Sequence, residues 1–550
     1  MHARIHFIGV SICKAIRAFE PRRWKAPRTG SLERLPHITR VRGCAFGRLV
    51  LLIVAMASAR QLSASPAGLA EAALANQPPR IKPDYREVTI PPNIAPLNFE
   101  IQEPGASYFV QLHGQAGEPI EISSHSPKIL IPEKDWHRLL NENRAGWLEI
   151  TVSSQNEAKQ WTRYAAITNT IAADEIDPVM IYRKIHPAHS TWSSMGLYQR
   201  DLTTFDERPF LENSRFANDC CHCHILRNND PNTATVVIRS THYQNSLLVI
   251  SNGVAQAIRG SVGFVAWHPT GRIVASSFSK PRLMLHSARN DMRDIAELEG
   301  WIGYFLMGSN VVKKVPGLSD NARLRTFPFW APDGRYLYYC SAPNPWTNMA
   351  TITATSHTTA KYDLMRLSYD IDHDTWGEPE MVLSAGDAGF SVAQPRISPD
   401  GHWIFFCAIP YGCWPTYDST SDIYGIDLVA GQARGKFTSR KLELNSKECE
   451  SWLSWSSNSR WVVFSSKRIS PLFNRPHLSY VSPTGQCSKP FILPQEDPDF
   501  YDSLLKTFTI PTLSKGPITV PEWKLVDAIK HSDRQSFKMP MAQVANPAQH

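Results

Sequence analysis

Five consecutive residues with ligand chemistry stand at 220–224, where the chain reads Cys-Cys-His-Cys-His. Within this run Cys220, Cys223 and His224 form a Cys-x-x-Cys-His motif. In c-type haem attachment, two thiols at this spacing add across the vinyl groups and the following histidine binds the iron. The motif therefore predicts a covalently bound haem c, with thioethers at Cys220 and Cys223 and His224 as the proximal ligand.

The second axial ligand of such a haem is not marked by any motif. Met195 and His242 are the favoured candidates because both lie near the motif in the sequence. An open sixth position would instead indicate chemistry on a small ligand. Cys221 and His222 have no part in the haem interpretation.

Three other interpretations of the cluster stay open. Structural zinc needs four ligands, usually from two separated pairs, and no second Cys-x-x-Cys occurs in the chain. A disulfide, or the remnant of a former haem site, would make the cysteines structural. A redox site without haem is the remaining possibility.

The N-terminal segment predicts export. Residues 1–48 carry eleven Lys or Arg and two acidic residues, and they precede the apolar run LVLLIVAMASA at 49–59. A basic flank, a short apolar core and small residues are typical of a signal peptide, and the run is too short to cross a membrane. We expect residues 1–60 to be a signal peptide with an over-long basic region, and the protein to be periplasmic or associated with the cell envelope. No transmembrane span is expected after cleavage.

Net charge and motifs exclude several functions. The whole chain has a formal charge of +8, so the part after residue 48 is close to neutral and has no nucleic-acid signature. The sequence contains no Gly-x-Ser-x-Gly, P-loop, His-Glu-x-x-His or dinucleotide fingerprint, and no α/β domain is predicted after the β-rich region. Hydrolase chemistry is therefore not expected.

The first half of the chain predicts three segments. Residues 61–85 are rich in Ala and Pro and are predicted to be a linker. Residues 86–185 alternate apolar and polar positions in short runs, which is typical of a β-sandwich-like domain, with one helix at EKDWHRLLNEN. Residues 186–231 are aromatic, polar and irregular, and we interpret them as a connector that contains the motif.

An internal repeat follows. Four phrases, at 262–279, 326–342, 393–409 and 451–467, each read as a strand, a tight turn and a second strand. The turn positions are Gly271, Gly334, Gly401 and Ser459. A small residue follows six positions after each turn, at Ser277, Cys340, Cys407 and Ser465. Four tryptophans near the turns are predicted to pack within the repeats: Trp267, Trp330, Trp403 and Trp461.

Units of four strands at this spacing predict a β-propeller. The phrases resemble the TolB-type propeller repeat, an apolar strand, Ser-Pro-Asp-Gly and a second apolar strand, most closely at RISPDGHWIFF. The resemblance covers about 232–520 and implies five or six blades. The first blade is expected at 233–258, closed by a C-terminal strand near TFTIPTL, and residues 521–550 are expected to be a tail. PPNIAPLNF, YQRDL and the Cys-x-x-Cys-His also resemble exported propeller proteins of uncharacterised function.

Together these features predict an all-β protein, with a β-sandwich-like domain followed by the TolB-like propeller. The leading hypothesis for its function is an exported haem c protein acting in electron transfer, or in sensing a ligand or partner at the cell envelope. The alternative is a non-enzymatic scaffold that binds a protein or glycan at the propeller face, with structural cysteines. A redox enzyme that uses haem and propeller together is a third hypothesis.

Overall fold

The computed structural model describes residues 66–187, 192, 194–285, 293–346, 351–353 and 356–539. The predicted signal peptide at 1–60 and the last part of the predicted tail lie outside these residues. No helix in the described part of the chain is long and apolar enough to cross a membrane.

The N-terminal domain has ten strands and one helix of ordinary length. The helix, α1 (Glu133–Glu142), lies where EKDWHRLLNEN predicts it and buries Trp136, Leu139 and Leu140. The strands are β1 (Ala73–Leu74), β2 (Ile81–Lys82), β3 (Thr89–Ile90), β4 (Phe99–Ile101), β5 (Ser107–His113), β6 (Ile120–Ser124), β7 (Lys128–Ile129), β8 (Trp147–Gln155), β9 (Trp161–Arg163) and β10 (Ile167–Ile171).

These strands form two sheets. The larger contains β1, β9, β8, β10 and β3 in that order, with β5 pairing both β6 and β8. The smaller has the order β2, β4, β7. Residues 69–82, placed in the predicted linker, contribute β1, β2 and a short 3-10 helix (Leu69–Glu71) to this domain. The segment is therefore part of the fold and does not form a separate spacer.

Twenty-five further strands build the rest of the chain. The first eleven are β11 (Val179–Ile185), β12 (Gly196–Asp201), β13 (Glu207–Glu212), β14 (Cys220–Arg227), β15 (Asp230–Arg239), β16 (Ser246–Ser251), β17 (Val254–Arg259), β18 (Val265–Trp267), β19 (Ile273–Leu285), β20 (Arg293–Leu306) and β21 (Val312–Lys314).

The remaining fourteen strands follow. They are β22 (Arg323–Trp330), β23 (Tyr336–Pro343), β24 (Asp363–Asp370), β25 (Thr375–Trp376), β26 (Glu380–Leu383), β27 (Ser391–Ile397), β28 (Trp403–Ile409), β29 (Asp422–Asp427), β30 (Ser439–Lys441), β31 (Glu450–Trp455), β32 (Trp461–Ser466), β33 (Arg475–Tyr480), β34 (Phe491–Ile492) and β35 (Thr507–Ser514). Four helices accompany them: α2 (Ala385–Ala388), α3 (Leu428–Arg434), α4 (Phe500–Ser503) and α5 (Glu522–Lys530).

These strands form six antiparallel sheets. Five follow chain order: β14 to β17, β18 to β21, β22 to β26, β27 to β30 and β31 to β34. The sixth has the order β35, β11, β12, β13, so the C-terminal strand completes a sheet begun more than three hundred residues earlier. The first strands of the six sheets contact one another in a closed circle, in the order β14, β18, β22, β27, β31, β35. A circle of meandering sheets is the architecture of a β-propeller.

Two predictions about chain order were wrong. The region 186–231 is not an irregular connector, because it contains β12, β13 and β14. The C-terminal strand closes on β11, at residues predicted to belong to the sandwich, and does not close the unit at 233–258. That unit receives its first strand from the Cys-His run itself.

The predicted tail also packs on the fold. Helix α5 buries Leu525, Val526 and Ile529, and the chain after it bridges to two sheets, at Arg259 with Ser536 and at Val311 with Lys538.

The four turn positions of the repeats share one backbone conformation. Gly271, Gly334 and Gly401 have φ of 76°, 75° and 77°, and Ser459 occupies the same left-handed region at 63°. Glycine enters this region at no steric cost, whereas an L side chain places Cβ close to the following carbonyl oxygen. The Pro-Asp-Gly and Ser-Asn-Ser sequences therefore satisfy one requirement, a residue that accepts positive φ.

The propeller buries the carboxyl group of Glu297, whose ionisation depends on its surroundings. Glu297 on β20 is 2 % exposed. Burial raises its pKa to about 7, against the opposing effect of hydrogen bonds from Ser279 and Tyr362. The carboxyl group is therefore close to half-protonated at neutral pH in the folded protein.

We predict that Gly401→Val lowers the free energy of unfolding by about 1–2 kcal/mol, because valine is strained at positive φ. No atom lies within 4 Å of an added Cβ at this position, so the loss would come from the backbone alone. Gly401→Asn is the matched control, since asparagine accepts this conformation, and it should cost clearly less. Urea unfolding of the three proteins measures both, and equal losses would contradict the turn geometry.

We further predict that Glu297→Gln changes how stability depends on pH. The folded-state pKa lies above the usual value of 4.5, so wild-type stability falls as pH rises from about 4.5 to about 7 and stays lower above it. The variant should match wild type near pH 4.5 and exceed it by about 1–3 kcal/mol near pH 8. Glu157→Gln, at an exposed glutamate, should follow wild type at both values. A constant difference between Glu297→Gln and wild type across pH would refute the prediction.

Candidate functional site

The Cys-His run is the innermost strand of a sheet. Strand β14 pairs with β15, with Cys220 opposite Arg239, Cys221 opposite Ile238 and His224 opposite Val236. Between Cys221 and His224 the pairing shifts by one residue, which is a β-bulge. His222 and Cys223 are the two bulged residues.

The same bulge recurs in four other innermost strands. It lies between Thr326 and Phe329, Ala393 and Arg396, Ser451 and Ser454, and Thr509 and Thr512. Each of these four strands has a bulged residue at positive φ: Phe327, Gln394, Trp452 and Ile510. The Cys-His run is therefore a further copy of the repeat, with Asn229 at φ 60° where the other copies have Gly or Ser.

Aligned in this way, the cysteines occupy positions that other copies fill with structural residues. Cys221 corresponds to a small buried position, occupied elsewhere by Thr326, Ala393, Ser451 and Thr509. Cys223 corresponds to the second bulged residue, which is proline in three copies, Pro328, Pro395 and Pro511. Proline is tolerated at a bulge because no ladder hydrogen bond is needed there.

The thiols of the predicted haem motif lie in different surroundings. Cys220 belongs to an apolar cluster with Met195 and Phe210, whereas Cys223 packs against two other clusters around the central axis. Burial raises the pKa of Cys220, and raises that of Cys223 to about 12. His222 Nδ1 lies 2.7 Å from Cys223 Sγ. Both thiols are therefore protonated and weakly nucleophilic at neutral pH.

His224 is buried, and its closest approach to a hydrogen bond is with the Ile181 backbone. It is 4 % exposed, and neither Nδ1 nor Nε2 has good hydrogen-bond geometry with a described group. Burial lowers its pKa to about 3, although the nearby Ile181 backbone partly opposes this. The imidazole is therefore neutral, and its nitrogens are available to a ligand that reaches them.

The predicted distal ligands do not face His224. Met195 is buried in the cluster around Cys220, and its backbone N–H donates to Asn213 Oδ1 at 3.1 Å. His242 is 58 % exposed and pairs with Asp219, its Nδ1 lying 3.1 Å from Oδ2. Asp219 precedes β14, so this pair lies about 15 Å along the strand from His224.

This arrangement does not fit a covalent haem. The vinyl groups that react lie on adjacent pyrroles, whereas the two thiols here are separated along an extended strand, about 10 Å between their Cα atoms, and pack in separate clusters. The unpaired nitrogens of His224 are the one feature that a haem ligand would share. Haem c stays a prediction from the motif.

Zinc and disulfide chemistry have no support in the described residues. They contain no group of three or more His, Cys, Asp or Glu side chains that could hold a metal ion. Cys220 and Cys223 of the predicted motif are thiols that form no disulfide with a described residue.

A cavity of about 330 Å³ lies on the axis of the six sheets, next to His224. Each innermost strand contributes the same three register positions to its wall. The deepest tier comes directly after the bulge: His224, Ala266, Phe329, Arg396, Ser454 and Thr512. The next residues along form the second tier: Ile225, Trp267, Trp330, Ile397, Trp455 and Leu513. The rim tier lies two residues further on: Arg227, Pro269, Pro332, Pro399, Ser457 and Lys515.

An apolar layer bounds the cavity at its inner end. Phe264, Phe327, Trp452 and Ile510 project from the bulge level around a space of only about 20 Å³. The rings of Phe264 and Phe327 lie 4.0 Å apart, centroid to centroid. The positive φ of three of these residues turns their side chains toward the axis. The cavity therefore ends blindly at this layer.

Arg396 is the charged residue of the deepest tier. Its guanidinium lies 5.1 Å from the centroid of the Phe329 ring, and Nη1 donates to the Pro395 carbonyl at 2.8 Å. Burial lowers its pKa to about 10, so it stays a cation at neutral pH. His224 and Arg396 are three strands apart in a circle of six, so they face each other across the cavity.

Only part of this site could be recognised from the sequence. His224 was singled out for iron ligation, whereas Arg396 was not considered. Trp267 and Trp330 are buried in the core, as predicted for packing residues, and both also line the second tier. The signal that identifies these residues is their register: each stands four or five positions before the turn residue of its repeat.

Comparisons with known proteins give a fold likeness only. No family model matches the chain, and no curated protein matches it. Similar solved structures include TolB from Acinetobacter baumannii, 14 % identical with a TM-score of 0.37, over 66 % of this chain and 79 % of that one. Prolyl oligopeptidase B from Galerina marginata is 12 % identical with a TM-score of 0.33, over 54 % of this chain and 40 % of that one. A puromycin hydrolase has the same identity and TM-score, over 57 % of this chain and 45 % of that one.

The two hydrolase matches span less than half of those chains. All three TM-scores are below 0.5, so the propeller assignment depends on the sheet order described above.

We predict that the native protein resists alkylation at Cys220 and Cys223. Burial and a raised pKa both slow attack on iodoacetamide, so near pH 8 these residues should react far more slowly than free glutathione. Both should react readily once urea unfolds the chain. Peptide mass spectrometry locates the label, and rapid labelling of Cys220, which is 2 % exposed, in the folded state would contradict the packing of β14.

Proposed function

We propose that this protein is an exported, non-enzymatic binding protein in which the central cavity of a six-bladed, TolB-like propeller accepts part of a protein or glycan partner. The N-terminal domain, β-sandwich-like in this proposal, is a structural support. The observation that carries the proposal is the tiered wall: six strands place equivalent residues around one blind cavity. Concave, largely apolar sites with a few convergent polar groups are the usual form of ligand sites.

The chemistry of the wall favours binding over catalysis. The lining residues include no Asp, Glu or Cys, and neither ring nitrogen of His224 is hydrogen-bonded to a described hydroxyl or carboxyl group. A nucleophile paired with a general base is therefore not formed in the cavity. The second tier is an apolar wall, in which Ile225, Ile397 and Leu513 stand beside largely buried tryptophans, and such a wall suits an apolar part of a ligand.

The cysteines are structural in this proposal. They occupy repeat positions held elsewhere by small residues and by proline, so the run needs no cofactor to explain its place in the fold.

A haem c protein that transfers electrons is the second candidate. One observation favours it, the unpaired ring nitrogens of His224 beside a cavity. Expression in a host that matures cytochrome c separates the candidates by intact mass. An unmodified mass supports the binding scaffold, and a gain of one haem that is lost in Cys223→Ser would establish haem attachment.

We predict that Ser454→Trp weakens partner binding by at least about tenfold, because the indole would fill the deepest tier. The full chain would be tested on peptide and glycan arrays, followed by titration of the best probe. Ser419→Trp, at an exposed residue outside the cavity wall, is the matched control and should bind as wild type does.

Thr512→Phe fills the same tier from another strand. It replaces Ser454→Trp in the test if circular dichroism shows that Ser454→Trp is unfolded. Binding that persists in both filled variants would overturn the proposal. Arrays on which the wild-type protein binds no probe would count against it as well.

A further inference from the structure

The charges around the cavity are of one sign. Its wall includes Arg227, Arg396 and Lys515 and no carboxylate. Arg227 is partly neutralised, because its Nη2 lies 3.4 Å from Asp230 Oδ2. Lys515 is exposed at the rim. Inside the cavity the field is therefore dominated by Arg396.

Arg396 has no carboxylate partner among the described residues. Its single hydrogen bond is to the Pro395 carbonyl, which leaves most of its five N–H donors without an acceptor. The side chain is half-buried in the cavity wall, and an unpaired cation in such a partly enclosed site attracts anions. An anion bound in the deepest tier would supply the missing partner.

Asp177, a carboxylate beside the rim residues Asn229 and Ser457, is already engaged. Asp177 accepts a hydrogen bond from Asn229 Nδ2 at 2.8 Å and others from the Ser457 backbone and hydroxyl. These contacts hold its oxygens at the rim, next to the N-terminal domain. They leave the deepest tier without a negative charge.

Neutral donors in the wall also lack partners. The indole N–H groups of Trp267, Trp330 and Trp452 are buried without acceptors, and the nitrogens of His224 are unpaired on the side opposite Arg396. A buried donor without an acceptor is destabilising, and native proteins hold few of them. A ligand rich in acceptor oxygens would satisfy several of these groups together.

We propose that the cavity binds the oxyanion end of its ligand, a carboxylate or a phosphate group, against Arg396. The ring or apolar part of the ligand then lies against the apolar wall of the second tier, which includes Ile225, Ile397 and Leu513. This inference rests on the proposed function, since it takes the cavity to be the ligand site, and it adds the charge and shape of the group that enters.

The test uses the full chain and three probes that share one ring: benzoate, phenyl phosphate and benzyl alcohol. Binding would be followed by intrinsic tryptophan fluorescence and by calorimetry. We expect at least one anion to bind about tenfold or more tightly than the neutral alcohol, since charge-assisted hydrogen bonds are the stronger class. The better of the two anions identifies the source of the oxyanion. Added salt should weaken the binding of the anion and leave the binding of the alcohol unchanged.

Arg396→Gln removes the charge while keeping a polar side chain of similar reach. It should lower anion affinity by about tenfold or more and leave benzyl alcohol binding unchanged. Lys436→Gln, which removes an exposed charge outside the wall, is the matched control and should behave as wild type. Melting curves verify that each variant is folded. If Arg396→Gln does not fold, the salt dependence and the anion-to-alcohol ratio of the wild type decide the question.

Two results would overturn the inference: equal affinity for the anions and the alcohol, or anion binding that is unchanged in a folded Arg396→Gln variant. Ser454→Trp separates the two proposals. If the alcohol and the anions bind equally and Ser454→Trp abolishes the binding of both, the binding cavity is supported. Its preference for oxyanions is then refuted. If Ser454→Trp leaves binding unchanged, both the binding cavity and its preference for oxyanions are refuted.

Discussion

The pairing of β11 with β35 is the constraint on which the rest of the structure depends. Residues 179–185 and 507–514 lie at the two ends of the propeller region, and their antiparallel register runs from Val179 opposite Ser514 to Ile185 opposite Thr507. Closing a loop of this length costs conformational entropy, which burial of the strands must offset. Every residue of β11 is buried. The tiers of the central cavity exist only when this seam is formed, because each needs one residue from β35.

The N-terminal domain stabilises the same seam. Its apolar core is continuous with Met180 and Tyr182 of β11, with Phe508 and Leu513 of β35, and with residues of the last sheet such as Trp461. Side-chain contacts follow the same path, since Trp461 Nε1 donates to the Asp174 carbonyl at 3.0 Å. Unfolding of the N-terminal domain would therefore expose the junction at which the ring closes.

Much of the propeller could be predicted from sequence because its turns carry strong local chemistry. Gly271, Gly334 and Gly401 mark copies whose strands lie where the repeat phrases predict them. The copy at Cys220–Arg227 was missed because its turn has Asn229 instead of Pro-Asp-Gly, and because a motif with known chemistry stood where the repeat should be recognised. Seam closure could not be predicted, since the apolar pattern of β11 does not say which sheet it joins.

The site was less predictable than the fold, for a geometric reason. Arg396 and His224 meet across the cavity although 172 positions separate them, and nothing local to either residue indicates the other. Only the shared register of the repeats brings them to one tier. His224 could therefore be recognised from the sequence as unusual, but it was predicted to bind iron and not to line a cavity.

The apolar layer at the bulge level limits the kind of molecule that the central cavity could bind. A channel open at both ends could let a polymer pass through and be gripped anywhere along its length. Under the proposed function, Phe264, Phe327 and Trp452 close the inner end of the cavity beyond Arg396, so a ligand would enter by one end and leave through the same opening. A long partner would then be recognised by its terminus, and the number of its binding sites would equal the number of its free ends.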